Sequence, residues 1–365
     1  MSDLQSQFAG TQDVLEQHKI DVARLQSYMQ EHVEGFSGNI ALSQFKGGQS
    51  NPTYRIDAGG QSYVLRRKPP GVLLPSAHAV DREYRVITAL AETEVPAPRT
   101  YCMCADENVI GTIFYIMEMV QGRILWDSTL PEMNREERGQ IYRSMNEAMA
   151  ALHKVDYAAI GLDDFGKVGE YRERQIHRWS KTYRISEMDT IPEMDRLIEW
   201  LPKNIPSGDE TTLIHGDFRM DNMVFHPTEP KVIALLDWEL ATLGHPVGDF
   251  TYTMMGWRLD KDLFRGIADA DIEGLGIPTE AQHIAHYCAL TGRDGIPDLE
   301  WYFAYNMFRL AAILQGIAKR AADGTAASEH AVEQGRRARP LAQLHAIVKL
   351  AVELRHGVVS RLCSP

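Results

Sequence analysis

Apolar positions along the chain change period from helix to strand and back. Val22, Leu25, Met29 and Val33 recur at helical spacing and predict an amphipathic helix that ends at the turn residues "EGFSGN". Three β-type runs follow, "IALSQF", "TYRI" and "SYVLRR", separated by the loop "KGGQSNP" and the turn "AGG", which predicts an antiparallel meander. From Ala77 to Glu92 the period returns to about 3.6, with Val80, Tyr84, Ile87 and Ala91 on one stripe and Glu83 beside it. "RTYCMC" and "TIFYIMEM" then read as two further strands around the turn "ADEN". The first lobe is therefore a five-stranded antiparallel sheet carrying one main helix, preceded by the N-terminal helix and ending near Met119.

Beyond that point the pattern is mainly helical. "NREE" offers Asn134 as an N-cap with an acid three residues on, ahead of the stripe Ile141, Met145, Met149 and Leu152. Further helical spacing covers about 170 to 186, 193 to 201, 279 to 290, 299 to 322 and 329 to 357, interrupted by strands at "TTLI", "MVF" and "KVIALLD". The reading is an α+β chain of two lobes, residues 1–119 and 120–365.

A length of 365 residues exceeds one small core, so two lobes sharing a cleft are expected. Apolar residues at 44% and charged residues at 24% are ordinary for a globular chain. The net charge of −12 argues against a nucleic-acid partner, because phosphate neutralisation needs a basic face. The first twenty residues lack a basic region followed by an apolar one, and no stretch approaches the ~20 apolar residues of a membrane span; a cytoplasmic protein without membrane contact is expected. Four cysteines (102, 104, 288, 363) show neither a disulfide framework nor a zinc spacing. His283, His286 and Cys288 in "HIAHYC" would spread over different faces of a helix, so they read as partly buried helix residues.

The chemistry concentrates in "LIHGDFRMDN" (213 to 222) and "DWE" (237 to 239). The first places a His, two acids, an Arg and an Asn in a loop between two apolar runs; the second sits where the run 232 to 236 ends. Oxygen ligands from Asn222 and Asp237 suit Mg²⁺, which binds one or two carboxylates and leaves its remaining positions to water and phosphate. A further acid, Asp217, is then available to take a hydroxyl proton. The spacing His-x-Asp-x-x-x-x-Asn matches the catalytic loop of kinases.

"HGDFRMDN" followed by "LLDWELATLGHPVGD" resembles the aminoglycoside phosphotransferase and choline kinase superfamily, whose fold is protein-kinase-like. "YVLRRKPPG", "REYRVITAL", "VPAPRTY", "MEMVQGR" and "ALHKVD" are more narrowly similar to the bacterial phosphotransferases that resemble the kinase-like domain of acyl-CoA dehydrogenase family members 10 and 11, over about residues 35 to 320. The resemblance implies a bilobal kinase-like α+β fold, with an N-terminal nucleotide-binding lobe and a C-terminal catalytic and substrate-binding lobe. It implies Asp217 as the base, Asn222 and Asp237 as Mg²⁺ ligands, and His215 as a brace of the loop. Arg219 stands where protein kinases neutralise the moving phosphoryl group, a surface ion pair being its alternative. Gly47 and Gly48, with Ser50 and Asn51, offer a flexible hairpin whose donors would close over phosphates. Arg66 replaces the usual strand Lys, with Glu83 as its helix partner and Arg67 or Lys68 as alternative cations. Backbone groups around Glu118 and Met119 would meet the nucleobase of ATP or GTP, and Glu239 adds a second acid near the metal.

The function expected is Mg²⁺-dependent transfer of a nucleotide γ-phosphate to a small-molecule hydroxyl, on a hydroxyacyl-CoA or related hydroxy acid, by a monomer or homodimer. Arg172, Arg174 and Arg178 would then face an anionic carrier or line a solvated helix. An aminoglycoside or amino-alcohol kinase is the alternative acceptor reading, although no dense run of acids marks the second lobe. A non-catalytic nucleotide-binding pseudokinase is the alternative of another class, raised by Arg66 in place of Lys.

Overall fold

Strict alternation builds the sheet. In the computed structural model, which describes residues 10–46, 51–69, 79–188, 190–261 and 265–323, strand β3 (Thr53–Ala58) buries Tyr54, Ile56 and Ala58 and turns the residues between them outward. Strand β4 (Gln61–Arg67) returns through a two-residue turn whose glycines both have positive φ, +57° at Gly59 and +80° at Gly60, the signature of the turn that best matches strand twist. A Cβ at Gly59 would lie 2.5 Å from the Ser37 carbonyl oxygen, so that turn also needs glycine for space.

The sheet has strands β1 (Thr11–Gln12), β2 (Ala41–Phe45), β3, β4, β5 (Thr100–Cys104) and β6 (Phe114–Glu118) in the order β1-β2-β3-β4-β6-β5, every pair antiparallel. The sequence predicts five strands; the sixth is the two-residue β1, paired with the edge strand β2 through Thr11 opposite Phe45. Two residues are too short to show alternation, so only the open edge of β2 makes a strand of them. Helix α1 (Val22–His32) packs Leu25 and Met29, with Val33 after its end, on Tyr54, Ile56, Tyr63, Leu65 and Ile116. Period two then sends Arg66 and Tyr115 to the other face, where helix α2 (Val80–Ala89) buries Val80, Glu83, Val86 and Ile87. This register decides the site, because it puts a strand cation and a helix acid on one face.

The chain forms two compact units. The first comprises Met1–Phe165, His215–Thr242 and Ile272–Pro278; the second comprises Gly166–Ile214, Leu243–Asp271 and Thr279–Pro365. Compactness thus groups the segment carrying the candidate site with the sheet, whereas our division at Met119 follows element type and stays a proposal. The first unit also holds α3 (Arg135–His153), which starts with the expected reciprocal cap: Asn134 accepts from the backbone N–H groups of Glu136 and Glu137, and Glu137 accepts from that of Asn134.

In the second unit, α4 (Tyr171–Ser186), α5 (Pro192–Trp200), α6 (Pro246–Met254) and α9 (Leu299–Ala322) share a core of Tyr183, Leu197, Trp301, Tyr305 and Phe308, and α8 (Glu280–Thr291) stacks Tyr287 on Phe250 of α6; the short α7 (Ile272–Leu275) belongs to the first. The sequence predicts one apolar stripe on α9, but Trp301 through Leu310 are all buried, so its first half is a central helix. The three strands expected after residue 210 do not form one group. β7 (Thr212–Ile214) pairs with β10 (Thr242–Gly244), a strand with no sequence signal of its own, while β8 (Met223–Phe225) pairs with β9 (Val232–Leu235). The helix expected at 329 to 357 and Cys363 lie outside the described residues. Among the described residues no helix is long and apolar enough to cross a membrane.

His283 on α8 is buried against Phe250 (5.9 Å between centroids) and Trp257 (4.6 Å). Burial, with a smaller contribution from His286, holds its pKa down at about 3, so the folded state keeps a neutral imidazole that the unfolded chain protonates near its ordinary ~6.5. Stability from this group is complete above about pH 6.5 and is lost as pH falls toward 3. Replacing His283 with Phe should remove roughly 2 kcal/mol of the stability difference between pH 7 and pH 5, measured by chemical denaturation at both pH values. An unchanged difference would refute this account.

Candidate functional site

All the residues that converge here belong to the first compact unit. His215 follows β7, and Gly216 at φ +82° turns the chain back; a Cβ there would stand 2.7 Å from the Leu240 carbonyl oxygen. Only glycine meets both conditions. Phe218 and Met220 are buried on either side of Arg219, which anchors the loop, and one 3₁₀ turn (Met220–Asn222) delivers Asn222 to the start of β8. The Asn222 Nδ2 donates to the Asp217 carbonyl (2.9 Å) and to its carboxylate Oδ2 (3.0 Å). One amide therefore fixes the carboxylate and leaves its own oxygen turned away from Asp217.

His215 is 1% exposed and spans the loop. Its Nδ1 accepts from the Asp217 N–H (3.3 Å) while its Nε2 lies 3.0 Å from the Leu236 carbonyl. These partners assign the proton to Nε2, which donates to Leu236. Trp238 packs on the imidazole at 4.8 Å. Both ring nitrogens thus meet backbone groups of the two turns, and the ring braces them, the role that the resemblance implies.

The hairpin of β8 and β9 brings the second motif alongside the first. The Leu236 N–H donates to the Asn222 carbonyl (2.8 Å), so Asp237 leaves the hairpin one residue beyond that bond. Asp237 adopts φ +65°, ψ +59°, a left-handed conformation uncommon outside glycine and costly unless its surroundings hold it. Two contacts hold it: the Trp238 N–H donates to Glu83 Oε1 (3.1 Å), and the indole Nε1–H donates to the Leu235 carbonyl (3.0 Å).

Arg66 reaches this turn from the sheet. Its Nε lies 2.8 Å from Glu83 Oε2, its Nη2 lies 2.5 Å from Asp237 Oδ1 and 3.7 Å from Glu239 Oε2. Three carboxylates thus share one guanidinium. Burial works against the charge on Arg66, but Glu83 and Asp237 outweigh it and raise its pKa further. Burial pushes the Glu83 carboxyl up against the opposing pull of Arg66, and it pushes the Tyr115 phenol beside them well up, so that hydroxyl stays neutral.

The structure brings together Asp217, Asn222, Asp237, Arg66, Glu83, Glu239 and Asn51, though Asn51 differs from expectation. It is buried, and its Nδ2 donates to Glu239 Oε2 (3.3 Å) instead of facing outward as a phosphate donor. Gly47, Gly48 and Ser50 lie outside the described residues. Arg219 pairs with Asp217 (Nε to Oδ1, 3.4 Å) and bonds Asp221 (3.1 Å), the ion pairing that stands in the sequence as the alternative to a phosphoryl contact. Glu118 ends β6 exposed, and its N–H is already given to the Arg99 carbonyl (2.7 Å). Asp249 is buried on α6 in the second unit, and His245 there meets the Tyr302 hydroxyl (3.2 Å). Arg172 and Arg174 are consumed by backbone carbonyls at the start of α4, those of Gly208, Gly169 and Lys167, and Arg172 also meets Tyr302. Sequence reasoning missed Trp238, Tyr115 and the necessity of Gly216; Trp238 and Gly216 lie inside the polar motifs, whereas Tyr115 has no sequence signal beyond its strand.

Replacing Gly216 with Ala should cost about 1–3 kcal/mol through the strained φ and the crowded Leu240 carbonyl. Urea denaturation of the variant and parent tests this, and a difference within about 0.5 kcal/mol would sink it.

The model of the phosphotransferase enzyme family APH matches residues 41–286. The mouse acyl-CoA dehydrogenase family member 10 is 45% identical over 310 residues, which cover 84% of this chain and 29% of that protein. The human acyl-CoA dehydrogenase family member 11 is 40% identical over 337 residues, covering 91% of this chain and 43% of it. The chain therefore spans less than half the length of these curated relatives. A crystal structure from Ralstonia eutropha JMP134, provisionally assigned as an aminoglycoside phosphotransferase, superposes with a TM-score of 0.84 at 51% identity, covering 92% of this chain and 99% of that one. The ternary complex of a thermostable mutant of aminoglycoside phosphotransferase APH(4)-Ia with ADP and hygromycin B shares the fold, with a TM-score of 0.57 at 17% identity over 89% of this chain and 97% of that one. With well over half of its length matched, and with the kinase-like α+β fold that these structures share, the chain belongs to the APH family of phosphotransferase enzymes.

Proposed function

We propose that the protein is a Mg²⁺- and nucleotide-dependent kinase that phosphorylates a hydroxyl of a small molecule, a hydroxyacyl-CoA or related hydroxy acid. The observation that carries it is the Asn222 amide holding the Asp217 carboxylate while the hairpin sets Asp237 beside Asn222. Asp217 is the base: with its carboxylate oriented by Asn222 and Arg219, it accepts the proton of the acceptor hydroxyl as that oxygen attacks the γ-phosphoryl group. Arg219 lies close enough to Asp217 to stabilise charge moving through the same space.

The donor set fits Mg²⁺. The Asn222 oxygen, the Asp237 carboxylate and the nearby Glu239 offer hard oxygens only. Among the described residues no three His, Cys, Asp or Glu side chains form a metal cage, so phosphate oxygens and water would complete the coordination. Bound there, the ion would neutralise charge on the phosphates. Arg66, positioned by its ion pair with Glu83, would meet the α- and β-phosphates from the sheet. Because the Glu118 N–H is spent on Arg99, nucleobase recognition falls to the Glu118 carbonyl and the Met119 backbone, a geometry open to ATP or GTP. The aminoglycoside complex named above supports nucleotide use by this fold. The acyl-CoA dehydrogenase relatives favour a hydroxyacyl acceptor over an aminoglycoside.

The pseudokinase reading loses its motive here, since Arg66 makes the strand-to-helix ion pair that a Lys would make. Turnover of ATP or GTP measured with hydroxyacyl thioesters, aminoglycosides and amino alcohols should single out the acceptor class. Asp217→Asn should lower kcat by about 10²–10⁴-fold with little change in nucleotide affinity, and equal turnover of variant and parent would refute the role of Asp217.

A further inference from the structure

The strand cation is Arg where protein kinases carry Lys, and the two differ in how many acids they can serve at once. A guanidinium presents Nε and Nη2 as separate donors in a rigid fork, whereas an ammonium is one compact centre. Arg66 spans both acids: Nε lies 2.8 Å from Glu83 Oε2 in an ion pair that lacks hydrogen-bond alignment, and Nη2 donates to Asp237 Oδ1. The two ends are unlike. The Glu83 side chain is 1% exposed and is also tied to the Trp238 N–H, while that of Asp237 is 32% exposed. Only the Asp237 arm can therefore be exchanged with an incoming ligand.

From this asymmetry we infer that Arg66 competes with the divalent ion for Asp237, and that the enzyme accepts the ion only together with the nucleotide. The inference rests on the reading of Asp237 as a metal ligand. Taken alone, the ion must displace a charge-assisted bond at 2.5 Å and then sit beside the released guanidinium, a like charge. Taken with the nucleotide, it comes with phosphates that give the freed Nη2 a new anionic partner, and Nε keeps Glu83 throughout. Asp237 is thereby protected from an unproductive metal, and its left-handed backbone stays anchored through Trp238 while the side chain changes partner.

Mn²⁺ binding to the full chain, followed by electron paramagnetic resonance with and without a non-hydrolysable ATP analogue, tests this. Arg66→Lys keeps a cation for Glu83 but replaces the rigid fork with one compact ammonium, which should hold Asp237 more weakly, so it should bind Mn²⁺ alone about tenfold or more tightly than the parent. With the analogue present, the two proteins should differ far less. The charge-neutral double variant Arg66→Met with Glu83→Gln leaves no buried unpaired carboxylate and should show the same gain. A gain of metal affinity is an outcome that mere structural damage does not produce. Equal or weaker Mn²⁺ binding by both variants in the absence of nucleotide overturns the inference while leaving Asp237 as a ligand. Absence of any Mn²⁺ binding by the parent even with the analogue overturns the metal reading itself, and this inference with it.

Discussion

One guanidinium holds three distant segments of this protein in register. Arg66 comes from the central strand β4, Glu83 from α2, and Asp237 and Glu239 from the turn after β9, across as many as 171 residues of sequence between Arg66 and Asp237. A buried charge is tolerable only when paired, and removing one partner of such a pair characteristically costs about 3–5 kcal/mol. The arrangement therefore ties the sheet to the loop that carries the acids. Glu83 does most of the tying, because one oxygen takes Arg66 and the other takes the Trp238 N–H.

The rest of the site follows from backbone constraints that this network stabilises. Gly216 and Asp237 both have positive φ, the first just before Asp217 and the second at a candidate carboxylate itself. Strain of this kind persists where packing over-determines it, and here Trp238, buried between His215 and the sheet-side acids, supplies the packing. His215 then couples the two turns, accepting from Asp217 and donating to Leu236. Asp217 and Asp237 are thus held by the same imidazole through backbone groups, with no direct bond between them required.

In the second unit, Arg172 and Arg174, which look suited to an anionic carrier, are structural, whereas Arg178 is exposed. Arg172 and Arg174 cap carbonyls at the entry to α4, where Glu170 sits in a left-handed conformation, and Arg258 brackets Glu280 and Glu300 over the face of Phe303. Arg309 is buried against Tyr252 and Trp179. A positive charge in a helix pattern says nothing about where its side chain ends, because long side chains reach backbone groups several residues away.

The sequence by itself determined the order and kind of the main elements, the reciprocal cap of α3, the kinase-type motif around Asp217 and Asn222, and Glu83 as the partner of a strand cation, with Arg66 the first of three choices. Each is written locally, in a period, a cap or a spacing, and Arg66 and Glu83 need only a strand and a helix packed on one face. Tertiary structure alone decided that Asp237 and Glu239 share Arg66, that Asn51 serves Glu239, that the Glu118 N–H is spent on Arg99, and that β1 and β10 exist. These depend on which segments, 155 to 188 residues apart for the longest links, end within a few ångströms of each other. Chain pattern specifies which residues face the same way within an element, but it carries no measure of distance between elements, and a shared guanidinium is a matter of distance.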